Sequence, residues 1–252
     1  MEAVVLTAFG VGGATVVGAV IGFCFQHISE KTNDVIFGFA AGIMLSAAVL
    51  GLILPSMESA GKSGIWMTVL GILAGALFLN LVDKLTPHLH HLTGMKQEEH
   101  HGSSRMGRVE LFVVAIAIHN LPEGLAAGVG FGSGDMGNAV TIAFGIALQN
   151  IPEGMIIISP MIASGVSRMR TFLIAAGTGL VEVIGTFIGY FAVGVSGAVL
   201  PFALAFAGGT MLYVISDEMI PETHSHGYEQ VATYALLIGF IVMLVMDAMI
   251  GA

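Results

Sequence analysis

Two nearly identical hexapeptides, HNLPEG beginning at His119 and QNIPEG beginning at Gln149, each place an amide, a proline and a carboxylate inside an apolar run. If both runs are helical, His119 and Glu123 are four residues apart and share a face, as do Gln149 and Glu153. Asn120 and Asn150 lie about 100° further round. Each motif starts some ten residues into its run, roughly 15 Å deep at ~1.5 Å per residue, which is the middle of a bilayer core about 30 Å thick. Pro122 and Pro152 lack an N–H and push away the carbonyls of Ile118 and Leu148. Freed carbonyls at that depth must be satisfied within protein or a wet cavity, and interrupted helices at mid-depth are where transporters hold substrate. Glu182, alone in the apolar stretch Gly179 to Gly185, adds a third carboxylate.

No basic residue lies in a helix interior, so three buried glutamates must be protonated or bound to cations. Imidazole favours Zn, Fe or Ni, while carboxylates and amides also admit Mn. Met44, in Ala41-Gly-Ile-Met-Leu45, offers a thioether or simple packing. Gln149, Asn120 and Asn150 also suit a packed polar network bracing two kinked helices.

The elements that must carry these groups are membrane helices. The chain is 56% hydrophobic and 10% charged, with mean hydropathy +0.91, against about 25% charged in soluble domains. Apolar runs fall at Ala3 to Phe25, Val35 to Met57, Ile65 to Leu85, Val109 to Phe131, Ala139 to Ala163, Thr171 to Val195, Val199 to Ile220 and Val231 to Gly251. Each approaches the ~20 residues a bilayer requires, giving an all-α membrane protein of eight transmembrane helices. The first run follows Glu2 rather than a basic region and is long enough to span, so it reads as a helix and not a cleaved signal. A lone Cys24 excludes an intrachain disulfide framework, and a net charge of −9 without a basic stripe argues against nucleic acid.

Lys31, Lys84, Lys96, Arg105, Arg108, Arg168 and Arg170 fall in or beside odd-numbered connections and only Lys62 in an even one. The excess of basic residues on cytoplasmic loops places both termini outside the cytoplasm. The connection 85–108 holds His88, His90, His91, His100 and His101, a metal-collecting composition or a solvated linker. Pro221 to His226, with His224, forms a second small cluster on the same face. Glycine pairs such as Gly18 and Gly22, Gly71 and Gly75, and Gly185 and Gly189 imply close helix packing. Apart from Pro122 and Pro152, the five other prolines read as lying at or near helix ends.

The paired motifs, the mid-helix glutamate, the eight helices and the His-rich cytoplasmic loop resemble the ZIP family of divalent metal transporters over essentially the whole chain, in its short prokaryotic GufA-like branch. The resemblance implies one transport domain over 1–252 and a midplane binuclear site. Its first position would be Met44, His119, Glu123, Gln149 and Glu153, and its second Asn120, Asn150 and Glu182, with Glu123 and Glu153 bridging. Where the family's second position can carry aspartate, this chain has Asn150. Asp217, Glu218, Glu222 and His224 resemble exit-side ligands. It also implies an inverted repeat of helices 1 to 3 and 6 to 8 around helices 4 and 5, and a homodimer.

The expected activity is uptake of Zn²⁺, with Fe²⁺, Mn²⁺ and Cd²⁺ as related cargo, from outside or periplasm across the inner (plasma) membrane by alternating access. No catalytic cofactor is expected, and no Walker-type loop is present for ATP. The rivals are an intramembrane metalloenzyme using metal-activated water and a proton-coupled carrier of an organic solute whose glutamates relay protons.

Overall fold

The structure is a computed structural model that describes residues 1–25, 28–85, 105–163, 165–195 and 197–250, all helix, turn or coil without a strand among them. Eight long helices follow one another: α1 (Glu2–Cys24), α2 (Glu30–Gly61), α3 (Gly64–Val82), α4 (Arg105–Gly132), α5 (Met136–Ala163), α6 (Arg168–Val195), α7 (Leu200–Thr223) and α8 (Glu229–Ile250). Seven are long and apolar enough on their described residues to cross a bilayer, and the 28-residue α4 matches them in length. The segment His88 to His101 lies outside the described residues.

Local chemistry sets several boundaries. Ser29 caps α2, its hydroxyl accepting from the Thr32 N–H at 3.2 Å, and Asp135 starts α5 by accepting from the Asn138 N–H at 3.1 Å; side-chain acceptors there satisfy otherwise orphaned donors. Gly61 breaks the path from α2 to α3 with φ +63°, a left-handed conformation that glycine adopts without steric cost.

Pro55, which the sequence placed at or near a helix end, lies inside α2, which runs on to Gly61. The π-helical stretch Ala47–Ile53 precedes it, and Asn138 Nδ2 of α5 donates to the Gly51 carbonyl at 3.0 Å. Gly51 is four residues before Pro55, so its carbonyl is the one that proline deprives of a partner. A donor from another helix lets α2 continue. A second π segment, Ile215–Met219, sits in α7 just before Pro221.

α4 and α5 form the centre. α1 lies along α5 and α6 along α4, α1 and α6 meet each other, α2 packs on α8, and α3 on α7. Small residues allow these approaches: a methyl on Gly12 would overlap the Gly179 carbonyl, and one on Gly179 the Gly12 carbonyl. Helix association in lipid relies on such close packing. α3 and α8 are peripheral, with 22% and 17% of their spanning windows buried against 44–61% for α1, α2, α5, α6 and α7. Their exposed side chains, including Leu70, Leu77, Ile238 and Ile241, form an apolar exterior suited to lipid.

Candidate metal site

Both hexapeptides lie within single helices that continue through Pro122 and Pro152. Asn120, Glu123, Gln149 and Asn150 are buried to within 2%, and Glu153 is half-buried. Gln149 Nε2 donates to Glu123 Oε1 at 2.5 Å, tying α5 to α4. Glu123 is in electrostatic reach of Glu153 and Glu182, and Glu153 of His119 and Glu218.

The structure thus brings Asn120, Glu123, Gln149, Asn150, Glu153 and Glu182 into one buried polar region. Four side-chain oxygens in it have no hydrogen-bond partner: Asn120 Oδ1, Glu123 Oε2, Gln149 Oε1 and Glu153 Oε1. An orphaned buried acceptor costs about 1–3 kcal/mol, so four on two helices call for a ligand that accepts lone pairs. Among the described residues no group of three or more His, Cys, Asp and Glu forms a ready metal cluster. The donor set mixes carboxylates with amides instead.

Glu182 is fully buried and heavily engaged. Its Oε1 accepts from Thr15 Oγ1 and Asn120 Nδ2, both at 2.6 Å, and its Oε2 from Asn150 Nδ2 at 2.5 Å. Asn150 Nδ2 also reaches the Val11 carbonyl at 3.2 Å. Thr15 escaped the sequence reading because a lone threonine in an apolar helix has no chemical signature. The signal was the spacing Gly12, Thr15, Gly18, Gly22, which recurs as Gly179, Glu182, Gly185, Gly189.

His119 borders this region on the side of α7, within electrostatic reach of Glu153. Its Nε2 lies 2.7 Å from Glu218 Oε1 of α7, with side chains 17% and 27% exposed, so the imidazole meets an acid on the more open side of the region. Met44 is fully buried in the core of α2.

The acidic group on α7 divides. Glu218 meets His119, Asp217 is exposed, and His224 Nδ1 donates to the Ile220 carbonyl at 2.8 Å, closing the end of α7. Glu222 instead acts electrostatically on His226 and on Asp34. His226, beyond α7, lies 3.0 Å from the fully buried Asp34 of α2. Burial alone would lower this imidazole's pKa, but the Asp34 hydrogen bond and charge, with Glu222 and Glu30, raise it above the ordinary value. The Asp34–His226 pair therefore ties α2 to the α7–α8 connection; His226 stood in the small cluster Pro221 to His226 of the sequence, whereas Asp34 did not stand out.

The family model described as the ZIP zinc transporter matches residues 83–247. The chain is 39% identical to the zinc transporter GufA of Myxococcus xanthus, over 95% of this chain and 96% of that protein. It is 38% identical to the zinc transporter ZIPB of Bordetella bronchiseptica, over 94% and 78% respectively. With the zinc transporter ZIP11 of Homo sapiens it shares 30% identity, over 98% and 96%.

Proposed function

The chain belongs to the ZIP family, and from that premise we propose that it carries Zn²⁺ on the oxygens left unpartnered between α4 and α5. As a family member it is a divalent metal transporter and not an enzyme. The observation that carries the site is the set Asn120 Oδ1, Glu123 Oε2, Gln149 Oε1 and Glu153 Oε1. Two carboxylates there neutralise a divalent ion, and an ionised side chain at the centre of a spanning helix otherwise costs about 3 kcal/mol or more.

His119 is the next ligand along the path. Its bond to Glu218 gives way as the ion approaches, and Glu218 then receives the ion on the side toward α7. Borderline Zn²⁺ accepts this exchange between oxygen and imidazole. Met44 adds a thioether when α2 shifts toward the site. Asp217, Glu222 and His224 follow Glu218 toward the exit-side, cytoplasmic end of α7, and the five loop histidines on that face collect released ions.

The paired packing of α1 on α5 and α6 on α4, and of α2 on α8 and α7 on α3, supports an inverted repeat of helices 1 to 3 and 6 to 8. Motion of one helix group against the other then alternates access, with both termini outside the plasma membrane and Zn²⁺ moving inward. A homodimer is the proposed assembly.

Uptake of Zn²⁺ into proteoliposomes tests the site. Wild type takes up Zn²⁺, whereas Glu153→Ala or Glu123→Ala, inserted and folded, loses uptake by more than about a hundredfold and no longer binds the ion at equilibrium. Near wild-type flux in either variant removes the site. Flux of an organic solute without Zn²⁺ binding would favour the proton-coupled carrier.

A further inference from the structure

Thr15 and Glu182 occupy matching places on α1 and α6. The glycines around them meet matching partners: Gly18 faces the Ile151 carbonyl of α5 and Gly185 the Leu121 carbonyl of α4, the third positions of the two hexapeptides. Gly154, ending one hexapeptide, faces the Thr15 carbonyl, and Gly124, ending the other, faces the Glu182 carbonyl. Where α6 offers a carboxylate, α1 offers a hydroxyl. The two meet in the 2.6 Å hydrogen bond from Thr15 to Glu182.

The bond leaves Glu182 little capacity for another partner. A carboxylate has about four lone-pair sites, and Thr15, Asn120 and Asn150 occupy three of them. Each asparagine amide can present either nitrogen or oxygen to a neighbour. A carboxyl oxygen that carries no proton can only accept, so both amides turn their nitrogens to Glu182, and three donors stand where the sequence called for a proton or a cation. The consequence appears on Asn120, whose Oδ1 is left buried and unpartnered. A reversed Asn120 would aim N–H donors at the cation path and repel the cargo.

We propose that Glu182, held by Thr15, is a positioning residue and not an ion ligand: it fixes which end of the Asn120 amide faces the transported ion, and the midplane takes one divalent cation per chain. This rests on the transport site proposed above. It assigns Thr15 a role in recognition through Glu182, and it turns the expected second metal position into a hydrogen-bonded clasp among α1, α4, α5 and α6.

The test counts ions. Purified protein is equilibrated with Zn²⁺, and in parallel with Cd²⁺, and the stoichiometry of binding lost on Glu123→Ala is measured. One such ion per chain supports the proposal; two, with one of them lost in Glu182→Gln, overturn it while leaving the transport site standing. No Glu123-dependent ion would overturn the transport site and the proposal together. Glu182→Gln should keep the single ion but weaken it about tenfold, because the glutamine nitrogen cannot accept the N–H that one of the glutamate oxygens takes. Thr15→Val should weaken it a few-fold with an unchanged circular dichroism spectrum, and Thr15→Ser should restore it. Wild-type affinity in Thr15→Val overturns the role of Thr15. The Thr15 pair and the ion count on unsubstituted protein decide between these outcomes even where Glu182→Gln does not insert.

Discussion

The hexapeptides on α4 and α5 differ by histidine against glutamine in first place and leucine against isoleucine in third, and their surroundings separate them further. Gln149 is 2% exposed and its nitrogen is committed to Glu123 across the helix pair. His119, at the same place in its motif, is 17% exposed in its side chain and turned to Glu218 on α7. Glu123 has one oxygen engaged and one unpartnered, while the half-buried Glu153 answers electrostatically to His119 and Glu218. A duplicated pattern has therefore become a polar region, the proposed site, with a sealed side at Gln149 and an open side at His119. The one imidazole of the pair stands on the open side, where the proposed path would bring an ion that leaves oxygen ligands.

Removing the two first-place side chains should break this asymmetry most visibly. We expect His119→Ala to lower the initial rate of Zn²⁺ uptake on the order of a hundredfold, at the upper end of what loss of a metal-supporting partner costs, and Mn²⁺ uptake much less, because imidazole matters least to the harder ion. Gln149→Ala should lower both rates by similar, smaller factors, since an amide oxygen discriminates little between them. Initial rates for both ions in proteoliposomes decide it. Equal losses of Zn²⁺ and Mn²⁺ in His119→Ala would make His119 structural and erase the proposed difference.

The glycines that end the motifs sharpen the comparison on the packing side. A methyl on Gly124 would overlap the Glu182 carbonyl of α6, and one on Gly154 the Thr15 carbonyl of α1. Both obstacles are backbone, which cannot rotate away. Each Gly→Ala change should therefore destabilise by about 1–3 kcal/mol, the usual cost of overpacking, despite alanine's better helix propensity. Thermal unfolding in detergent reads this as a lowered midpoint for both variants. Gly134→Ala, in the turn between the two helices with nothing near its added methyl but φ +85°, is the control for strain without overlap. Unchanged midpoints in both motif variants would mean that α1 and α6 are not held this closely.

The legible and illegible parts of the molecule follow from what each depends on. Apolar run length is a local property, so the helices could be placed from sequence to within a few residues. The mid-depth carboxylates of α4, α5 and α6 were equally visible because a charge in such a run has no bland solution. Pro55 was misplaced because its tolerance depends on Asn138 of another helix reaching the Gly51 carbonyl. Asp34 was passed over because α2 begins at Glu30, a turn earlier than the apolar run, which carries this acid into the interior. Asp217, Glu218 and Glu222 looked like one cluster, yet successive residues of a helix point in different directions, here through the π segment Ile215–Met219, and each meets different surroundings. Thr15 could be found only by setting α1 against α6, because its hydroxyl acquires meaning from the glutamate it meets.

The smallest expected effect concerns what precedes each motif helix. α5 follows a tight turn at Ser133 to Asp135, whereas α4 follows the His-rich connection carrying His88, His90, His91, His100 and His101. A ligand at mid-membrane is desolvated and positioned before the ion arrives. Wherever the ion itself must order a histidine of the connecting sequence, fixing that residue's backbone costs about 1–2 kcal/mol. The segment should therefore hold released ions loosely and exchange them quickly. Changing all five histidines to serine should leave initial Zn²⁺ uptake within a few-fold of wild type, reduce the metal bound per chain, and blunt the response of uptake to high Zn²⁺ on the loop side. Glu153→Ala measured alongside gives the scale of complete loss. A loop variant as inactive as Glu153→Ala would place those histidines on the obligatory path, and the asymmetry between α4 and α5 would then begin before the membrane rather than at His119.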